Sequence, residues 1–72
     1  MTPSRPPPRV GARARVWHLS GEAEPVAIVA VREEGRCVVV AAAGGAEREF
    51  TLRRANARFI ERGCQHWPRL EL

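Results

Sequence analysis

From Val10 onward the chain alternates: Val10, Ala12, Ala14 and Val16 hold one parity, and Gly11, Arg13, Arg15 and Trp17 hold the other. A period of two is the signature of a strand with one face on a core and one in water. The polar stretch Ser20 to Glu24, closed by Pro25, ends that strand. Val26-Ala-Ile-Val-Ala-Val31 follows, apolar on both parities, and then Arg32-Glu-Glu-Gly-Arg36. Its Glu34-Gly35 pair suits a tight hairpin with positive φ at the glycine. Cys37-Val-Val-Val-Ala-Ala42 is the return strand, and Gly44-Gly45 marks the next turn.

In the following segment Arg48, Phe50 and Leu52 share a face, with Glu47, Glu49, Thr51 and Arg53 on the other, so Phe50 and Leu52 are the expected inward pair. Arg53 to Ala57 lacks strand formers and is long enough for one helical turn, after which Phe59 and Ile60 re-enter the core as a short final strand. A helix through residues 26–43 is the rival. Seven valines and isoleucines, a central Glu-Glu-Gly break and the lack of a polar face at helical spacing argue against it. The predicted fold is therefore all-β: a single small five-stranded barrel over residues 10–61, with one helical turn before the last strand. Residues 1–9, with four prolines, read as a disordered or semi-rigid tail. Residues 62–72, with Gly63, Pro68 and alternating Leu70 and Leu72, read as an edge strand or a loose tail.

That element order, with Val10-Gly11, Val16, Gly21, Ile28, Val31, Gly35 and Val38 to Val40 at its strands and turns, resembles the SH3-like barrels grouped as KOW, Tudor and related modules. The resemblance covers roughly residues 10–60 and implies a small binding module. Tudor-type readers of methylated side chains use a cage of several aromatics. Here only Trp17, Phe50, Phe59 and Trp67 are on offer, without a tyrosine, which speaks against that role.

Length and charge narrow the partner. Seventy-two residues allow one thin core, so a partner or a second copy of the chain is a natural source of extra stability, and a homodimer is compatible. All twelve cations are arginine and all eight anions glutamate, a bias that a GC-rich genome produces by codon usage alone. The net charge of +4 favours acidic partners, nucleic acid first. No apolar leader and no run near the ~20 residues of a bilayer span is present, so cytoplasmic localisation with reduced Cys37 and Cys64, and no membrane partner, is expected.

Charge is also segregated. Residues 1–20 carry four arginines and no acid, residues 21–34 four glutamates and one arginine, and residues 53–72 five arginines and two glutamates. In a closed barrel the first and last strands adjoin, so the basic segments would merge. Strand parity puts Arg13, Arg15 and Trp17 on the solvent side together, where guanidiniums bind phosphates and an indole stacks a base. Arg53, Arg54 and Arg58 form the second group, with Arg62 and Arg69 further on. Two placements fit Trp17: this open face, or a ring folded over the barrel rim beside arginines that merely keep the strand soluble.

The expected function is a non-enzymatic binding module for RNA or single-stranded DNA through those six residues. The alternative is a protein-interaction module, an accessory subunit or a phage- or mobile-element-type inhibitor docking on a larger host protein through unprotected strand edges. Cys64-Gln65-His66 with His18 and Cys37 lacks zinc spacing, and the chain has no aspartate and no phosphate-cradling glycine loop. No metal, cofactor, small-molecule substrate or catalytic residue is expected.

Overall fold

The computed structural model describes residues 7–72; the first six residues of the proline-rich tail lie outside the described residues. The all-β barrel is present and is closed. Its antiparallel strands are β1 (Arg13–Trp17), β2 (Ala23–Arg32), β3 (Cys37–Ala41), β4 (Glu47–Arg53), β5 (Arg58–Glu61) and β6 (Arg69–Glu71). The strands number six, not five, because Arg69–Glu71 pairs on one side with β1 (Val16 opposite Leu70) and on the other with β5 (Phe59 opposite Leu70). Leu70, flanked by polar neighbours of opposite parity, has its place in the core, and its strand satisfies two otherwise open edges at once.

The expected helical turn before the β5 strand is present only as an isolated α-turn that does not continue into a helix. Residues 54–57 form a tight turn closed by the Ala57 N–H donating to the Arg53 carbonyl at 2.9 Å, with the Asn56 carboxamide oxygen accepting from the Arg58 N–H at 3.1 Å. Four residues between two paired strands allow that one turn and no second. A 3-10-type turn occurs in addition at Glu33–Gly35, and its φ values of 53°, 57° and 90° are all left-handed. Glycine takes that region freely, but a glutamate there costs about 1–2 kcal/mol. Glu34 is exposed, so replacing it removes no packing. Glu34→Asn is expected to stabilise the domain by about 0.5–1 kcal/mol, seen as a higher urea midpoint at unchanged slope; an unchanged or lower midpoint would contradict the strain.

The core follows strand parity. β1 contributes Ala14 and Val16, β2 Val26 and Ile28, and β3 Val38 and Val40, closed over by Phe50, Phe59 and Leu70. Two residues expected inside are not. Val10 belongs to the turn in which the Ala12 N–H donates to the Arg9 carbonyl, and it is 65% exposed. Leu52 keeps Phe50's parity but stands at the barrel rim, 39% exposed. Pro25 is tolerated because β2 pairs there with β1 alone, its pairing to β3 starting at Ala27.

A second apolar layer lies outside the barrel wall. Cys37, Val39 and Ile60 have the outward parity yet are buried. The loop after β5 is held against β4 on that side: the Arg62 N–H donates to the Glu49 carbonyl at 2.9 Å, the Arg62 guanidinium meets the Glu49 carboxylate at 2.6 Å, and the Arg53 guanidinium donates to the Cys64 carbonyl. Apolar runs on both parities, Val38-Val39-Val40 and Phe59-Ile60, therefore serve two layers. Both cysteines are free thiols, and burial, followed by the Glu49 carboxylate, pushes the Cys37 thiol up from its ordinary value.

One end of the barrel is closed by polar side chains of inward parity. Arg48 donates through Nε and Nη2 to the two oxygens of Glu61, at 2.9 and 2.7 Å, and through Nη1 to Glu24 at 3.2 Å. Its guanidinium lies 5.7 Å from the Phe50 ring centroid. The bidentate partner holds the Glu61 carboxyl below the usual glutamate range. Acidic residues of the chain are thus drawn into ion pairs at this end and on the β3–β4 side.

Candidate functional site

β6 between β5 and β1 decides where the arginines meet. Register sets Trp17 opposite Arg69 and Arg15 opposite Glu71 on the outer face of β1 and β6. Arg69 also stands opposite Ile60 on β5, so the three strands present one continuous outward surface. On it opens a cleft of about 280 Å³ whose walls include Trp17, Trp67, Arg58, Arg69, Glu71 and the exposed Leu19. The Arg69 guanidinium stacks over the Trp67 ring at 4.0 Å from its centroid, with its Nε donating to the His66 carbonyl at 3.2 Å. That contact pre-orders an alternating layer of ring and cation. The Trp17 indole N–H points at Glu71 Oε1 across 3.4 Å. Both indoles are half-buried.

The cleft continues along the barrel. Through Glu71 it meets a depression formed by Arg13, Arg15 and Pro25, and through Arg13 and Leu72 that depression meets a groove beside Arg9. Arg9, Arg13, Arg15, Arg58 and Arg69 along this track have no carboxylate within 4.0 Å among the described residues. By contrast Arg48, Arg32 and Arg62 are each in an ion pair on other parts of the surface. Arg36, Arg53 and Arg54 are likewise outside these ion pairs, but they line a separate depression off the track.

Of the six residues singled out from sequence, Arg13, Arg15, Trp17 and Arg58 come together on this surface. Trp17 has the outward parity, at the end of β1, with its indole N–H towards Glu71. Arg53 does not join them, since its guanidinium ties down the Cys64 carbonyl and its Nε is buried without a partner. Arg54 sits in the β4–β5 turn, in a separate depression beside Arg36 and Leu52. Outside those six, the surface adds Trp67 and Glu71, together with Arg69, which the sequence set at the far end of the second basic group. Their signal was the alternation of Arg69, Leu70 and Glu71, which places two charged groups on the parity opposite a core leucine.

Among the described residues no three metal-ligating side chains converge. No described helix is long and apolar enough to cross a membrane. Comparison with protein-family models, with curated proteins and with solved structures yields no match for this chain.

Proposed function

We propose that this small barrel, of SH3-like type, binds single-stranded nucleic acid, RNA or DNA, along the β5–β6–β1 face. The observation that carries the proposal is the pairing of two half-buried indoles in one cleft with a track of arginines that have no carboxylate within 4.0 Å among the described residues. Every base has a π-face to stack, and stacking on an aromatic contributes about 1–3 kcal/mol per base. The arginines supply the phosphate contacts that register a strand without reading its sequence. A duplex hides its base faces, so it meets only the arginines.

Fluorescence anisotropy with a labelled single strand of mixed sequence tests this. Binding is expected at about 50 mM salt, weakening on a log–log plot with a slope of roughly −2 to −3.5 for about three to five neutralised phosphates. A duplex of the same sequence is expected to bind more weakly. Lack of binding at low salt, or binding indifferent to salt, contradicts the proposal.

A protein partner is favoured by one observation, Leu19, 76% exposed at the lip of the cleft. Strand addition to an open edge no longer supports that alternative, because closure of the barrel gives every strand two neighbours. Recovery from the native host of one stoichiometric protein, unaffected by nuclease, would establish it over the nucleic-acid function.

A further inference from the structure

Glu71 is out of character on the proposed binding face. A carboxylate among Arg15, Arg58 and Arg69 repels phosphate, and it is the acidic side chain in the walls of the tryptophan cleft. Register sets it opposite Arg15, yet no arginine lies within 4.0 Å of it among the described residues. Its recorded contact is the Trp17 indole N–H at Oε1, 3.4 Å away. That contact orients the carboxylate beside the edge of the ring on which a base would stack. The second oxygen, Oε2, is left without a protein hydrogen bond among the described residues.

We propose that Glu71 reads the edge of the stacked base and makes the cleft selective for guanine; the inference rests on the single-strand function proposed above. A carboxylate accepts hydrogen bonds and donates none. The Watson–Crick edge of guanine carries two adjacent donors, the ring N1–H and the exocyclic N2 amino group, which match the two oxygens of a carboxylate as a guanidinium fork does. Uracil sets its single N3–H between two carbonyl oxygens. Adenine and cytosine each place a ring-nitrogen lone pair next to their amino group. Those three bases therefore bring an acceptor against an acceptor, and an unmatched polar edge is penalised in a desolvated contact. Stacking on Trp17 supplies affinity without preference, and Glu71 supplies the preference.

The test compares oligouridines of about ten nucleotides, all-U or with a single central G, A or C, by anisotropy on the full chain. A single guanine avoids the self-association of G-rich strands. Bidentate recognition predicts that the guanine oligomer binds roughly tenfold to a hundredfold tighter than the all-U oligomer. The exposed Glu71 tolerates substitution, so Glu71→Gln is expected to fold normally, with its thermal midpoint as the control. Its amide presents one donor to the guanine edge, so the preference should fall to within about threefold while affinity for all-U is kept or improved. Equal affinity of wild type for all four oligomers, or a guanine preference that survives Glu71→Gln, overturns the inference and leaves single-strand binding standing. Failure of every oligomer to bind overturns both.

Discussion

Phe50→Ala is expected to leave the chain largely unfolded in water at 25 °C. The ring is fully buried and stands in register between Val38 on β3 and Glu61 on β5, so it spans the middle of the barrel. Truncating a buried phenylalanine costs about 3–5 kcal/mol, part transfer energy and part the cavity left behind. A domain of this length has roughly 4–10 kcal/mol of total stability at the usual value per residue, and a thin core sits at the low end. The loss also takes the apolar floor from beneath Arg48, whose guanidinium lies over the ring while it clamps Glu61 and Glu24. Leu52→Ala is the informative control: the same strand and the same parity, but a side chain at the rim, so the expected cost is under about 1 kcal/mol. Urea unfolding followed by tryptophan fluorescence separates the two. A cooperative transition for Phe50→Ala near the wild-type midpoint would mean that the core does not hinge on this ring.

The contrast between those two residues shows what the sequence can specify. Period-two alternation identified the inward parity of Ala14, Val16, Phe50 and Leu52, because parity is a local property of an extended chain. Where a strand leaves the barrel is set by its neighbours, so parity alone put Leu52 inside. The runs apolar on both parities were legible as strands but not as evidence of a second layer. Cys37, Val39 and Ile60 are buried on the outward parity, and the loop after β5 is held to β4 by Arg53 and Arg62 through contacts some eleven to thirteen residues apart in sequence. Residues 62–72 were the least legible for the same reason: Arg69–Glu71 is too short to declare itself a strand, and it becomes one because β1 and β5 both lack a partner. The candidate site was half legible. β1 placed its arginines and tryptophan outward by alternation, whereas Trp67 and Glu71 joined them only through the closing strand.

Trp17→Ala is expected to weaken single-strand binding by roughly tenfold to a hundredfold, the range set by losing one base stack of about 1–3 kcal/mol. Trp67→Ala should act in the same direction but differently in kind. Trp67 carries Arg69 on its face at 4.0 Å, so its removal frees that guanidinium as well as deleting a ring. Phosphate contacts through Arg69 are then retained, and the salt slope should stay while affinity drops. Reversing Arg13 and Arg15 to glutamate attacks the other half of the surface: affinity falls and the salt slope flattens by about 1–2, because those contacts release counterions. Trp17→Phe distinguishes stacking from folding. It keeps an aromatic face but loses the indole N–H that meets Glu71, so it should recover most of the affinity lost in Trp17→Ala. Thermal unfolding of each variant confirms that the barrel is intact. If Trp17→Ala and Trp67→Ala bind as wild type while the arginine reversals abolish binding, the cleft is not a stacking site and the face holds nucleic acid by charge alone. If all these variants leave binding unchanged, the contact surface is elsewhere on the barrel. Separate responses of affinity and salt slope to the two kinds of substitution are what a face built from both rings and cations requires.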